Sequence, residues 1–457
     1  MTLPPKPKPR KDGRISLWRY TRLFRRDILS AQPARLYRAW MAEFRTPFFR
    51  SYLCNQPELV DLVLKRRPDD FPKSDRIREG LAPLLGNSVF VTNGETWKRQ
   101  RRIIDPSFEG GRLRDTFPAM LEAGRAAVAR LGARADGQPI EIEAETSHAA
   151  ADVIFRTLFS IPIEHEVAAQ VFDKFREHQR AQPVLNLGAL VPLPRWFPRF
   201  HRRRTRQTAR EIRELITRLT ADRMAQIQGG VAPDDLATKI MTTADPLTGD
   251  RFDTDEMVDQ VAIFFLAGHE TSASALAWAL YLLALYPDWQ DRIAAEAQAV
   301  FGRDEPGFSD VAHLRQTRDV FRETLRLYPP VPMMVRETTC PEQLRGRDVP
   351  LRAQIVLSPW HQHRHERLWD NPDAFDPKRF ETANGREGLR CAYMPFSAGQ
   401  RVCPGAGFAM IEGVLLLALL VRSYRFGLVH DRPAVPVAHL TVRGRDGIWL
   451  RVTRREP

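Results

Sequence analysis

Cysteine is scarce in this chain: Cys54, Cys340, Cys391 and Cys403 are the whole supply among 457 residues. Four, irregularly spaced, are too few for a disulfide framework. No C-x-x-C pair accompanies any of them, and an iron–sulfur centre would need its cysteines gathered together. There is no Ser/Gly-rich linker and no repeat to divide the chain, so one large domain fits better than the roughly three that length alone suggests. The opening residues, MTLPPKPKPRKDGR, lack the apolar run and cleavage site of a signal peptide, and no transmembrane helix leads the chain. A reducing cytoplasm is therefore expected, where a structural disulfide is out of place. A dinucleotide fingerprint is missing too, since GAGFAM fails the G-x-G-x-x-G pattern at its last glycine.

What is present is a large apolar core and an excess of positive charge. Hydrophobic residues make up 43% of the chain, and the formal charge is +13. Acidic partners, anionic membrane or nucleic acid are the classes that such a charge suggests. Basic residues are spread along the whole chain and no nucleic-acid motif occurs, which argues against DNA or RNA. The first 26 residues carry nine Lys/Arg against the single Asp12, and Leu17, Trp18, Phe24 and Ile28 offer the apolar side of a short basic helix. The plain reading is a solvated tail over residues 1–40, ahead of a catalytic domain at 41–457; peripheral contact with a membrane surface is the alternative.

Helix signals give the organisation. DTFPAMLEAGRAAVARL and QTAREIRELITRLTADRMAQI have helical periodicity, PVLNLGALVPLPRWFP reads as a Pro-rich apolar loop before the basic run HRRRTRQ, and FFRSYL and QIVLSPW alternate as strands do. The expected fold is mainly α with small β-sheets. One helix is capped by Asp253 with Glu256 three residues on, and runs through VAIFFLAGHETSASALAWALYLLALY to just before Pro287. Glu270 at its middle argues against a membrane span and for a helix crossing the core of a large domain. Gly268 costs about 1 kcal/mol relative to Ala in a helix and lets a neighbour approach the backbone. The Thr271 hydroxyl can bond the Ala267 carbonyl one turn back. A hydroxyl and a carboxyl beside a small groove suit proton delivery, although a Gly with a polar pair also suits a plain helix crossing.

In VFRETLRLYPP, Glu323 and Arg326 share a helix face, and Pro329 and Pro330 stop the helix. Arg379, in the turn-rich RLWDNPDAFDPKRF, can complete a buried triad. FSAGQRVCPG places Cys403 between Arg401 and a Pro-Gly pair, just ahead of the apolar helix GFAMIEGVLLLALLV. Gly399 and Gly405 permit tight turns where a flat ligand approaches, while Arg401 and the helix N-terminus favour a thiolate. Zinc is the rival, because HQHRH places His361, His363 and His365 on one side of any strand; without it His363 and His365 read as turn or surface residues. A lone thiolate fits haem.

With these motifs in this order, the sequence from about residue 45 onward resembles the cytochrome P450 superfamily, in its soluble bacterial form. FSAGQRVCPG matches the haem signature from Phe396 through Gly399, Arg401 and Cys403 to Gly405; AGHET matches the oxygen-activating segment, ETLR the E-x-x-R motif, DPKRF the meander, and GETWKRQRR the helix at the haem edge. The resemblance implies that Cys403 is the axial ligand of haem b iron. It implies contacts from Trp97, Arg101, Arg336 and Arg401 to the haem propionates, with Phe396, Ala267, Gly268 and Gly405 lining the cofactor. Thr271 and Glu270 would manage dioxygen and protons, and Glu323, Arg326 and Arg379 would hold the scaffold. Phe264, Val331, Pro332, Met333 and Met334 would line an apolar substrate pocket. One departure is the turn PLRAQ, where the family often has Lys-Gly.

The expected activity is monooxygenation of an apolar small molecule by a monomer. Electrons would come from NAD(P)H only indirectly, through a reductase and an acidic ferredoxin docking on Lys98, Arg99 and Arg102, because the chain leaves no room for a reductase after the cysteine-loop helix. A peroxygenase or isomerase on the same scaffold, and a non-enzymatic haem sensor or carrier, are the alternatives.

Overall fold

The computed structural model describes residues 3–13, 15–45, 50–181, 203–302 and 306–455. The Pro-rich apolar stretch before the basic run, the first residues of that run and the first two of FFRSYL lie outside the described residues. The principal helices are α1 (Leu17–Arg26), α2 (Gly94–Ile104), α3 (Gly111–Gly132), α4 (Ile142–Phe159), α5 (Glu166–Ala181), α6 (Arg203–Gln228), α7 (Thr254–Leu285), α8 (Pro287–Phe301), α9 (Arg315–Leu327) and α10 (Ala406–Ser423).

Helix α7 organises the rest. Asp253 and Glu256 form the expected capping box, with the Glu256 N–H donating to Asp253 at 2.8 Å and the Asp253 N–H to Glu256 at 3.2 Å. The helix stops at Leu285, where Pro287 opens α8. Ala277, Trp278, Ala279, Leu280, Leu282 and Leu283 are all 0% exposed, so this half of the helix is surrounded by protein on every side. It packs against α4, α6 and α10. Among the described residues only Ala406–Ser423 is long and apolar enough to cross a membrane, and that helix too has Leu415, Leu417, Ala418 and Val421 fully buried in the core.

The strands form small sheets at the periphery. They are β1 (Met41–Arg45), β2 (Arg50–Cys54), β3 (Asp136–Glu141), β4 (Met334–Glu337), β5 (Glu342–Leu344), β6 (Arg347–Val349), β7 (Gln354–Leu357), β8 (Tyr424–Leu428), β9 (Pro436–Ala438), β10 (Val442–Gly444) and β11 (Trp449–Arg454). The largest sheet has the order β1-β2-β7-β4, with β2 and β7 parallel and the outer pairs antiparallel. Its β4 pairs Arg336 with Ile355, which sets that arginine over a second apolar cluster containing Ile355, Leu357 and Phe71. The turn PLRAQ closes without glycine, by placing Arg352 at φ +60°.

The expected solvated tail is corrected by the structure. Residues 3–13 lie along the body: the Tyr328 hydroxyl donates to the Pro5 carbonyl at 2.7 Å, Lys6 pairs with Asp373, and Arg10 exchanges backbone hydrogen bonds with Gln32 and Ala34. Prolines with no N–H to satisfy suit such an extended strap.

Candidate active site

The loop that carries Cys403 is fixed by its backbone. The Cys403 N–H donates to the Phe396 carbonyl at 2.9 Å, and the Ala406 N–H returns to the Cys403 carbonyl as α10 begins. Gly399 has φ +67°, and a Cβ there would meet the Leu64 carbonyl oxygen at 2.1 Å, so no other residue fits. Gly405 is different: its φ is −82°, and a Cβ would touch only the Cys403 sulfur, at 4.0 Å. Its role is open space beside the sulfur. Cys403 is accessible to solvent within a wall of dense protein. That surrounding protein pushes its thiol up from the usual range, against the Gly405 N–H and the Arg101 charge, which pull it down. The expectation that Arg401 favours the thiolate is corrected. Arg401 points away toward the Phe71 carbonyl and Asp69, and stacks over Trp97 at 5.1 Å.

A group of cations gathers beside Trp97. Arg336 is 7% exposed and Arg401 8%, and the Nε of each has no hydrogen-bond partner. Arg101 donates to Asp105 at 2.6 Å and to the Val402 carbonyl at 2.8 Å, with its guanidinium over the Trp97 ring. Lys73, which sequence reasoning missed, bonds the Val89 and Thr92 carbonyls at 2.6 and 3.1 Å and bridges to Arg336 across a strand contact. Burial, then repulsion from Arg336, Arg401 and Arg101, drives the Lys73 ammonium well below its ordinary pKa; burial and Arg401 bring Arg336 down to about 10. Buried like charges with orphaned donors are costly unless an anion joins them. A haem held at Cys403 carries two propionates, and these residues fit it.

On α7, Phe264, Ala267 and Thr271 form an open stripe on a helix that is otherwise largely buried. The Thr271 hydroxyl donates to the Ala267 carbonyl at 2.6 Å. At Gly268 a Cβ would meet Ile154 of α4 at 2.3 Å, so the missing side chain serves a helix crossing. Glu270 is 6% exposed and accepts from Thr441 at 2.6 Å, from Gln179 at 2.9 Å and from the Arg443 guanidinium. His269 bonds Ser147 at 2.6 Å, and burial lowers its pKa to about 4, which keeps it neutral. Ser272 donates at 2.6 Å to Glu412 of α10, a carboxyl that burial raises to about 8. Gln179, Thr441, Arg443 and Glu412 gave no local signal in the sequence.

The triad is assembled and dry. Glu323 accepts from Arg326 at 2.8 Å through both oxygens and from Arg379 at 2.9 Å, and Arg326 also donates to the carbonyls of His363, Pro372 and Ala374. Val331, Met333 and Met334 are partly exposed along the segment from α9 into β4, and Met334 shares a strand face with Arg336 two residues on. Pro332 is buried, its carbonyl accepting from Ser358.

One expectation fails. His361, His363 and His365 are at most 1% exposed and serve structure: His361 meets Ser358 at 2.8 Å, His363 accepts from the Met394 N–H at 2.8 Å, and His365 stacks on Trp40. Among the described residues no group of His, Cys, Asp or Glu is placed to hold a metal ion. The residues expected to dock a partner are ion-paired, Lys98 with Glu95, Arg99 with Glu256, and Arg102 with Asp245 through two bonds of 2.6 and 2.8 Å.

Comparison with known proteins agrees with this geometry. Residues 45–446 match the sequence model of the family described as Cytochrome P450. Cyclooctat-9-en-7-ol 5-monooxygenase of Streptomyces melanosporofaciens is 33% identical over 90% of this chain and 86% of that protein. Cyclooctatin synthase of the same organism is 32% identical (82% and 80%), and cytokinin hydroxylase of Arabidopsis thaliana 28% (87% and 78%). The crystal structure of the cytochrome P450DA heme domain superposes with a TM-score of 0.80 over 100% of this chain and 99% of that one, at 24% identity, which establishes the fold. The chain belongs to the cytochrome P450 family, and is a monooxygenase of that family.

Proposed function

We propose that the protein inserts one oxygen atom of O2 into an apolar organic substrate, the second atom leaving as water with two protons and two electrons from a separate donor protein. The observation that carries this is the cationic group at Trp97: guanidinium donors without partners, close to an accessible cysteine on a helix-capping loop. Haem b, when bound, supplies the oxygen-activating redox chemistry. Cys403 would hold it through its thiolate. Arg101, Arg336, Arg401 and Lys73 would hold the propionates with Trp97, and Phe396 and Ala267 would lie against the ring.

The chain's own residues then manage substrate and protons. Phe264, Val331, Met333 and Met334 present an apolar surface along the open stripe of α7 and the approach to β4, which orients a substrate by shape and excludes water. Thr271 holds a proton there on a hydroxyl whose present partner is a backbone carbonyl, a bond easily exchanged. Glu270, the preceding residue of α7, reaches solvent through Arg443, whose side chain is 37% exposed against 6% for the carboxylate. The substrate class to test first is suggested by the relative named for cyclooctat-9-en-7-ol, a carbocyclic alcohol. These residues carry no dinucleotide fingerprint or cysteine cluster of their own, so electrons reach the site from a redox centre outside them. Lys98, Arg99 and Arg102 would have to exchange their present carboxylate partners to take part in its docking.

The test is spectroscopic, then catalytic. Reduced protein under carbon monoxide should show the red-shifted Soret band of a thiolate-ligated haem, and Cys403→His should abolish it. In turnover with a donor, Thr271→Ala should divert electrons to peroxide, lowering product by roughly 10²–10⁴-fold if its proton role is that of a general acid. A histidine-type spectrum in freshly prepared folded protein would defeat the ligand assignment, and unchanged product per electron the proton assignment.

A further inference from the structure

We infer that α1 is a docking surface for an anionic lipid bilayer. Helix α1 has two faces. Tyr20, Leu23 and Phe24 turn inward, with the Tyr20 ring 5.8 Å from Phe24 and 6.5 Å from Phe44 of β1. Outward stand Arg19, Arg22, Arg25 and Arg26, all exposed, with Trp18 exposed at 77%. The helix contains no acidic residue. Among the described residues no carboxylate pairs with any of these arginines, whereas Lys98, Arg99 and Arg102 on the basic helix α2 each have one.

The helix is held in place rather than dangling. Ser16 caps its first turn, accepting from the Arg19 N–H at 3.3 Å. At the other end Asp27, 1% exposed, accepts from the Leu29 and Ser30 N–H groups and from the Ala438 N–H at 2.9 Å. Asp27 thereby ties α1 to the β9–β10 hairpin, whose tip residue Leu440 is 37% exposed. A fixed row of cations with a bare indole suits the headgroup boundary, where arginine meets lipid phosphate and tryptophan reaches the first acyl carbons. Nucleic acid would use the cations but not the apolar side chains. The same hairpin supplies Thr441 and Arg443 to Glu270, so α1 and that carboxylate are tied to one hairpin.

The experiment uses the full chain, sedimented with vesicles of phosphatidylglycerol mixed with phosphatidylcholine and with vesicles of phosphatidylcholine alone, across a salt series. The expected result is binding to the anionic vesicles only, weakening as salt rises. Each arginine near an anionic surface is worth about fivefold in partition, so Arg22→Gln with Arg25→Gln should weaken binding roughly 25-fold. Brominated lipid should quench part of the tryptophan fluorescence, and Trp18→Phe should remove that part. Equal binding to both vesicle types, or anionic binding that the arginine variant leaves intact, overturns the inference. So does absence of anionic binding at low salt, whatever acidic protein the same arginines then retain.

Discussion

Glu412 lies on α10 with 1% exposure, one carboxyl oxygen accepting from Ser272 and the other without a partner. Burial raises its pKa from the ordinary 4.5 to about 8, and the Ser272 hydroxyl offsets only part of that. The folded chain therefore binds this proton more tightly than the unfolded chain. Its contribution to stability is complete below pH 4.5 and is lost as pH rises to about 8. Glu412→Gln removes the titration while keeping the shape. Across that window the variant should gain on the wild type by an amount on the order of a few kcal/mol in unfolding free energy. Denaturant titrations at several pH values check this, and a pH-independent difference would show that folding does not shift the Glu412 pKa. No local pattern marked this residue, because its neighbour Ser272 is distant in sequence. Cys403, Thr271 and the Glu323–Arg326 pair stood out for the opposite reason: each lies in a short motif with its residue types at fixed spacing. Lys73 and Arg443 were hidden in the same way as Glu412, since only the folded chain brings them to Arg336 and Glu270.

At the scale of elements, the crossing of α4 and α7 depends on Gly268. A Cβ at that position would fall 2.3 Å from one Ile154 carbon and 2.8 Å from another. Gly268→Ala gains about 1 kcal/mol of helix propensity but forces Ile154 to move or the helices apart. Net destabilisation is expected, and Ile154→Val should recover part of it because the clashing methyl is gone. A double-mutant cycle on unfolding should give a coupling of about 0.5–3 kcal/mol. Additivity would instead point to a role at the cofactor, where Ile154 has no part. The helices themselves were legible wherever a cap or a proline fixed an end, as Asp253 and Pro287 do for α7. The histidine run misled for a physical reason: alternation suggested a strand face, but Ser358 caps a short helix at Pro359–Gln362 and turns all three rings into the protein.

For the whole molecule, the net charge of +13 conceals extensive pairing, and the N-terminal strap shows how far that pairing reaches. Pro5 accepts from Tyr328, a residue 0% exposed that stacks on Trp278 of α7 at 4.1 Å. Lys6 pairs with Asp373, which also lies 3.5 Å from the buried Arg364, and stands over the Tyr37 ring. The strap thus touches the core through Tyr328 and the meander through Asp373. Sequence composition could not reveal this, because a Pro- and Lys-rich segment looks alike whether solvated or laid in a groove. Deleting residues 1–12 would leave the Tyr328 hydroxyl without its acceptor, at a cost of about 1–3 kcal/mol, and would strip Asp373 of one of its cations. A lower melting temperature is expected, with Tyr328→Phe in the full chain less damaging because it removes the donor along with its need. A truncated protein melting with the full chain would return residues 3–13 to the status of a solvated tail. If the truncation destabilises while Lys6→Gln does not, the backbone contact to Tyr328 is what matters, in keeping with the small worth of a half-exposed ion pair.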